Sequence, residues 1–117
     1  MLRVYQCIKG KKTIIVKGEW KAEGWVELVA GSTDASQEKH VPVVTKKCKT
    51  VQVDVGSVAH PMTEEHWIEW VAIETENGYQ VQYLKANDAP VCVFKLADGD
   101  ALVGVYAYCN LHGLWKN

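Results

Sequence analysis

The stretch Val51-Gln52-Val53-Asp54-Val55 alternates apolar and polar residues over its whole length. Successive side chains of a β-strand point to opposite faces, so this period of two predicts a strand whose valines form a buried face. Valine is also β-branched, and β-branched residues favour strands. The segment decides the fold class because the same pattern recurs further along the chain.

Two later runs repeat the alternation. Val81 and Tyr83 alternate with glutamines, and Val91-Cys92-Val93-Phe94-Lys95-Leu96 separates two sets of side chains in the same way. No segment shows a convincing helical period. Turn signals stand between the runs, namely Asn77-Gly78, Asn87-Asp88-Ala89-Pro90 and Asp98-Gly99-Asp100. We therefore predict an all-β fold, an antiparallel sandwich or barrel.

Residues 1–33 are predicted to form a small β segment in front of a main domain at 34–117. Its predicted strands are Arg3–Ile8, Thr13–Lys17 and Trp25–Ala30. About thirty residues cannot bury a core alone, so we expect this segment to pack on the main domain, on a partner subunit or around a metal. Only Cys7 offers a thiolate there, whereas a tetrathiolate site needs a full set of cysteines. The segment is therefore predicted to carry no metal.

The composition is that of an ordinary globular domain. Of the 117 residues, 48% are hydrophobic and 23% are charged, which excludes a disordered or collagen-like protein. The net charge of -1 provides neither a basic surface for nucleic acid nor a polybasic segment for a membrane. We expect neither of these as a partner.

The N-terminus lacks the apolar core and the cleavage site of a signal peptide, and no apolar run reaches membrane-spanning length. The cysteines are widely scattered, without the spacing of a disulfide framework, at Cys7, Cys48, Cys92 and Cys109. We therefore expect a cytoplasmic protein with reduced thiols. Cys7, Cys48 and Cys92 are predicted to be structural.

All four histidines lie in contexts typical of metal ligands. His112 follows Cys109 by three positions in Cys109-Asn110-Leu111-His112-Gly113, His60 and His66 flank a short acidic turn, and His40 follows Glu38-Lys39. A single histidine of a β protein is more often a surface or core residue than a metal ligand. The hypothesis of a metal site therefore rests on the four histidines together. Four imidazoles and one sulfur suit a transition metal such as iron far better than Ca²⁺ or Mg²⁺.

These motifs resemble the superoxide reductase family, the desulfoferrodoxin and neelaredoxin group of non-haem iron proteins. The resemblance covers residues 34–117 and rests on Glu38–Pro42, Val55–Met62, His66–Trp70, Asp88–Pro90 and Cys109–Gly113. It implies an immunoglobulin-like antiparallel β-sandwich with one iron per chain. The implied ligands are four equatorial imidazoles and one axial thiolate, with the sixth position open to solvent: His40, His60, His66, His112 and Cys109.

The resemblance also implies a reaction, the one-electron reduction of superoxide to hydrogen peroxide. The axial thiolate donates electron density to the metal, as in haem-thiolate enzymes. We expect Lys39 to attract superoxide, and Glu38 resembles the family carboxylate that closes over the sixth position of ferric iron. The expected partners are superoxide, rubredoxin or a similar small electron donor, and further copies of the chain in a dimer or tetramer.

The sequence departs from the family pattern at its front. Longer members carry a desulforedoxin-like domain with a Cys-x-x-Cys pair and a later adjacent pair. Here Cys7 keeps the first cysteine, Gly10 stands in place of its partner, and Trp25–Ala30 contains no cysteine. The segment therefore resembles a degenerate form of that domain, and the electron must come from an external donor.

Two other function classes remain possible at the level of sequence. The same iron would also serve an electron-transfer module without superoxide chemistry. A structural sandwich with a closed zinc site is disfavoured, because zinc prefers four tetrahedral ligands. The lysines of the cluster Lys46, Lys47 and Lys49 either solvate a loop or face an acidic electron donor.

Overall fold

Ten strands form three antiparallel sheets in the computed structural model, which describes residues 1–117. The N-terminal sheet has the order β2-β1-β3 and contains β1 (Leu2–Cys7), β2 (Thr13–Lys17) and β3 (Trp25–Leu28). The middle sheet has the order β10-β9-β6-β7 and contains β6 (Ile68–Thr75), β7 (Gly78–Tyr83), β9 (Leu102–Cys109) and β10 (Gly113–Lys116). The third sheet has the order β4-β5-β8 and contains β4 (Pro42–Lys47), β5 (Thr50–Val55) and β8 (Val91–Lys95). One turn of helix, α1 (Gln37–His40), precedes β4.

The main hydrophobic core lies between the third sheet and the middle sheet. The three valines of β5 point into it and are almost completely buried, as their alternation predicts. Val51 pairs with Phe94 and Val53 with Cys92 on the neighbouring strand. The middle sheet supplies the opposing side chains, which include Ile68, Val71, Ile73, Val105 and Ala107. The predicted antiparallel β-sandwich is therefore confirmed.

The N-terminal sheet covers the other face of the middle sheet. Leu2 and Val4 of β1 form a second buried cluster with Trp70, Ala72, Tyr106, Tyr108 and Leu114. The buried carboxylate of Glu74 accepts a hydrogen bond from the backbone N–H of Leu2 at 3.0 Å and lies 3.7 Å from the ammonium of Lys17. The segment thus packs on the main domain, the first of the three expected arrangements.

An aromatic cluster packs on the outer face of the N-terminal sheet. Trp20 contacts Tyr5 and Trp25 edge-on, with ring centroids 5.2 and 5.7 Å apart. Cys7 lies opposite Trp25 in the strand register and forms no disulfide. The part of the sheet that carries Cys7, the single cysteine of this segment, is therefore packed with aromatic side chains.

Three details differ from the sequence-based prediction. The first strand, predicted over Arg3–Ile8, spans Leu2–Cys7. The short helix α1 was not expected, because a single turn is too short to produce a helical period. The third strand was predicted to reach Ala30 but ends at Leu28, because the chain turns at Val29, whose carbonyl accepts a bond from Ser32 N–H at 3.3 Å. No helix in the structure combines the length and apolar character that crossing a bilayer requires.

Candidate metal centre

The five proposed ligands converge at one end of the sandwich because of where their strands begin and end. His40 and His66 lie just before β4 and β6, His60 lies just after β5, and Cys109 and His112 flank the turn from β9 to β10. Neighbouring strands in these sheets are antiparallel, so the start of one strand meets the end of the next. Strand pairing therefore brings His40 near His60 and His66 near Cys109, and the packing of the two sheets on a shared core brings these pairs together.

His40 is positioned by its own helical turn. Its Nδ1 atom lies 2.6 Å from the carbonyl oxygen of Ser36, four residues earlier. A loop then supports the turn from outside, since the N–H of Val58 donates to the carbonyl of Glu38 at 3.0 Å. This loop turns at Gly56, where φ is +85° and an added Cβ would lie 2.3 Å from Val58 O and 2.7 Å from Glu38 O. Only glycine allows this approach.

His60 and His66 are held by local backbone turns. The N–H of His60 donates to the carbonyl of Val55 at 3.3 Å, and its Nδ1 atom lies 2.6 Å from the carbonyl oxygen of Pro61. His66 closes a tight turn with Thr63, whose N–H donates to the His66 carbonyl at 2.9 Å. Local hydrogen bonds therefore fix the backbone at both histidines, and a further bond holds the ring of His60.

Asn110 joins the His66 segment to the loop that carries Cys109 and His112. Its side-chain oxygen accepts from the N–H of Trp67 at 3.0 Å, and its amide nitrogen donates to the carbonyl of Glu65 at 2.9 Å. Its backbone N–H also donates to the carbonyl of Trp67 at 3.2 Å. Asn110 thus forms hydrogen bonds to both chain neighbours of His66, namely Glu65 and Trp67.

The four imidazole rings are arranged in a rough square. Neighbouring ring centroids are 4.6 Å apart for His40 and His60, 4.7 Å for His60 and His66, 5.0 Å for His66 and His112, and 4.9 Å for His112 and His40. The diagonal between His40 and His66 is longer, 6.4 Å. A tetrahedral set would show no such difference between sides and diagonal, so the arrangement disfavours a closed zinc site.

The Nε2 atoms of His40 and His60 carry no hydrogen and face the other histidine rings. His40 and His60 each direct Nδ1 at a carbonyl oxygen, which requires the proton on Nδ1 and leaves Nε2 with a lone pair. These two Nε2 atoms lie 3.1 Å apart, and Nδ1 of His112 also lies 3.1 Å from Nε2 of His40. The Nε2 atom of His66 is buried without any partner. Converging lone pairs of this kind fit a bound metal cation.

Cys109 supplies a sulfur beside the rings. Its Sγ atom lies 4.0 Å from Nδ1 of His112, and the ligand atoms of Cys109, His40, His66 and His112 all lie within 4.8 Å of one another. Burial raises the pKa of the Cys109 thiol, while backbone N–H groups of His112 and Leu111 at the sulfur lower it. A metal cation would hold the sulfur as thiolate.

Burial also keeps three of the imidazoles neutral. Loss of solvent lowers the pKa of His40 and His66, and it lowers the pKa of His60 to about 4. The neutral ring is the form that binds metals. The rings of His40, His60 and His66 are therefore in the metal-binding state at neutral pH before any metal arrives.

Lys39 and Glu38 flank the centre and differ in position. Both are exposed. Burial is the main cause of the lowered pKa of His40 and His66, and the charge of Lys39 lowers it further. Glu38 instead lines a shallow cavity with Gln37, Val41, Val43 and Ser57, outside the group of ligand atoms.

Sequence reasoning missed three supporting residues. Gly56, Asn110 and Trp115 hold the ligands without being ligands. Gly56 and Asn110 lie inside the motifs Val55–Met62 and Cys109–Gly113, whereas Trp115 lies outside every motif. The ring of Trp115 is buried against His40, with centroids 4.8 Å apart.

Comparisons with known proteins agree on one family. The desulfoferrodoxin family model matches residues 32–117. A desulfoferrodoxin from Desulfarculus baarsii is 44% identical over 126 residues, which cover 98% of this chain and 94% of that protein. A desulfoferrodoxin from Clostridium acetobutylicum is 44% identical over 95 residues, 81% of this chain and 74% of that protein. The crystal structure of the superoxide reductase from Treponema pallidum superposes with a TM-score of 0.82 at 36% identity, covering 97% of this chain and 98% of that one.

Proposed function

Since the chain belongs to the desulfoferrodoxin family, we propose that it is a superoxide reductase, which reduces superoxide to hydrogen peroxide at a mononuclear non-haem iron. The overall reaction joins one superoxide anion, one electron and two protons to give one hydrogen peroxide. The observation that carries the proposal is the square of four imidazoles beside a buried cysteine sulfur.

The residues present fit iron as the resident metal. His40, His60, His66 and His112 would bind it through ring nitrogens, and Cys109 would bind it through sulfur. Imidazole suits iron, and thiolate sulfur adds electron density. Iron bound there would supply the one electron that reduces superoxide.

Lys39 is proposed to guide superoxide to the centre. A net charge of -1 gives the whole protein little attraction for an anion, so a local cation is needed. Lys39 is exposed and lies near enough to His40 and His66 to depress their pKa values. His66 and His112 are partly exposed, whereas Cys109 is fully buried, so solvent and substrate reach the rings from the side away from the sulfur.

Glu38 is proposed to act only after the electron has moved. Its backbone carbonyl accepts bonds from Val58 N–H and Ser57 Oγ, so the main chain of this residue is held in place. Its exposed side chain remains free to rotate towards the rings. A carboxylate that swings over an oxidised metal would help to displace peroxide or to protect the ferric site.

The electron is proposed to come from rubredoxin or a similar small donor that docks at the metal end of the sandwich. The alternative surface, Lys46, Lys47 and Lys49, lies at the end of β4 and on the turn that follows it. The five residue steps from Pro42 to Lys47, at about 3.3 Å each, place Lys47 roughly 17 Å beyond Pro42, at the opposite end of the strand from His40. Lys49 also forms an ion pair with Asp98. These lysines are therefore better explained as solvating the turn.

The remaining predictions concern organisation. We propose that residues 1–33 carry no metal and stabilise the middle sheet, as the shared cluster of Leu2 and Val4 with Trp70 supports. A dimer or tetramer stays a prediction of the family resemblance. A cytoplasmic location stays a prediction from the four unpaired cysteines, of which Cys48 is exposed.

The proposal is tested by mixing the reduced, iron-loaded protein with superoxide under anaerobic conditions and measuring peroxide and dioxygen. A reductase forms one peroxide per iron oxidised and releases no dioxygen. An electron-transfer module without superoxide chemistry would leave the iron ferrous. Release of dioxygen in proportion to peroxide would indicate a dismutase instead.

A further inference from the structure

Trp115 contacts two of the proposed ligands that come from different parts of the chain. Its indole stacks on the ring of His40, with centroids 4.8 Å apart and planes inclined by 25°. Its Nε1–H donates to the carbonyl oxygen of His112 at 3.0 Å. The side chain is nearly completely buried, with 3% of its surface exposed.

These contacts restrain the two ligands in different ways. The lone pair of an imidazole nitrogen lies in the plane of the ring, so the tilt of the His40 ring decides where Nε2 points. The stacked indole fixes that tilt, while the bond from His40 Nδ1 to Ser36 fixes the rotation within the plane. The bond to the His112 carbonyl holds the turn that presents Nδ1 of His112. One rigid side chain therefore sets the 3.1 Å separation between Nε2 of His40 and Nδ1 of His112.

We propose that Trp115 is a positioning residue that aligns His40 with His112 for metal binding. The inference rests on the proposed function only in taking these histidines as ligands, and it makes no use of superoxide chemistry. Groups that orient ligands without touching the metal commonly change metal affinity by about 10- to 100-fold when they are altered.

The test uses the full-length metal-free protein titrated with Co²⁺, whose visible bands report the ligand geometry. Trp115→Phe keeps an aromatic ring and removes the N–H donor together with half of the stacked surface. The matched control is Trp70→Phe. Trp70 is equally buried, and its Nε1–H donates to Thr13 Oγ1 at 3.1 Å, but it faces the N-terminal sheet and contacts none of the histidines.

Trp115→Phe is expected to raise the Kd for Co²⁺ by about tenfold and to change the Co²⁺ spectrum. Trp70→Phe is expected to lower the thermal midpoint while leaving the Kd within about twofold of the parent. The proposal is overturned if Trp115→Phe leaves Kd and spectrum unchanged, or if Trp70→Phe weakens Co²⁺ binding equally, because either result would make Trp115 an ordinary core residue.

A second variant covers the case in which Trp115→Phe does not fold. A benzothiophene side chain at position 115 keeps the two-ring shape and the stack on His40 and replaces the N–H by sulfur. This protein is expected to bind Co²⁺ more weakly than the parent and to recover most of the stability. Unchanged Co²⁺ affinity in this variant would also overturn the proposal. Because no superoxide is involved, failure here is distinguishable from failure of the reductase assay.

Discussion

The Nε2 atoms of His40 and His60 lie 3.1 Å apart, and the Nδ1 atom of each ring lies 2.6 Å from a backbone carbonyl oxygen. The carbonyls place both protons on Nδ1, so two lone pairs face each other across this short gap. Neutral rings repel in that arrangement, and a shared cation removes the repulsion. Binding of a metal cation should therefore stabilise the folded protein.

Acid should destabilise the metal-free protein through His60. Burial lowers the folded-state pKa of His60 to about 4, from an ordinary 6.5. Between these values the unfolded chain binds a proton that the folded chain refuses, so stability falls as the pH drops from about 6.5 to about 4 and then levels off. The loss should reach at most about 3 kcal/mol. Urea unfolding across this range measures it, and His60→Gln should flatten the dependence. An identical pH profile for parent and variant would remove His60 as its source.

Gly56→Ala should disrupt the support of His40. The added Cβ would meet backbone oxygens of Val58 and Glu38 at 2.3 and 2.7 Å, which cannot move as a flexible side chain could. We expect a loss of at least about 3 kcal/mol in unfolding free energy and much weaker metal binding. Gly99→Ala is the control, because φ is +78° there but nothing lies within 4 Å, so only about 1 kcal/mol is expected. Equal losses for the two variants would mean that close packing at Gly56 does not matter.

Lys39→Ala should slow the reaction with superoxide. Removing a local cation should reduce the bimolecular rate by about tenfold and flatten its dependence on ionic strength, with little change in iron content. Lys46→Ala changes the net charge equally at the far end of β4 and should leave the rate almost unchanged. Lys39→Arg should recover most of the rate. Pulse radiolysis provides the measurement, and equal slowing by Lys39→Ala and Lys46→Ala would indicate an effect of total charge instead of guidance.

Cys109→Ser should abolish the thiolate-to-iron charge-transfer band and most reductase activity, since a serine hydroxyl does not reproduce the electron donation of sulfur. Cys92→Ser is a demanding control because Cys92 is also buried in the main core, where burial raises the pKa of its thiol to about 11. The Cys92→Ser variant should keep the charge-transfer band. Cys48 is exposed, and Cys48→Ser should keep the band as well. A band that persists in Cys109→Ser, or disappears in Cys92→Ser, would assign the sulfur to another residue.

Strands with one buried face were the part of the fold that the sequence predicted best. Val51, Val53 and Val55 alternate with exposed or half-buried residues, so the period of two survives. Strands β6 and β9 were not recognised from alternation. Both belong to the middle sheet, which is covered on two faces, and their residues are apolar on both sides, as in Trp70-Val71-Ala72-Ile73. Burial of both faces removes the alternation on which such a prediction depends.

The candidate ligands were predicted as a set because histidine and cysteine carry their chemistry in the side chain. The residues that support them were less visible. Asn110 acts through bonds to Glu65 and Trp67, about 45 positions away, and Gly56 acts through a close approach to Glu38. Both depend on tertiary distances that one sequence does not display. The role of Trp115 likewise depends on a stacking partner 75 positions earlier.

The central claim, that His40, His60, His66, His112 and Cys109 hold one redox-active iron, is tested most directly by X-ray absorption at the iron K-edge. The measurement uses the air-oxidised, iron-loaded protein, with the iron content of the sample determined alongside. The account predicts one iron per chain with a single sulfur scatterer and nitrogen scatterers in the majority, several of them showing the outer-shell pattern of imidazole. Iron surrounded by sulfur alone, or by nitrogen and oxygen without any sulfur, would contradict it.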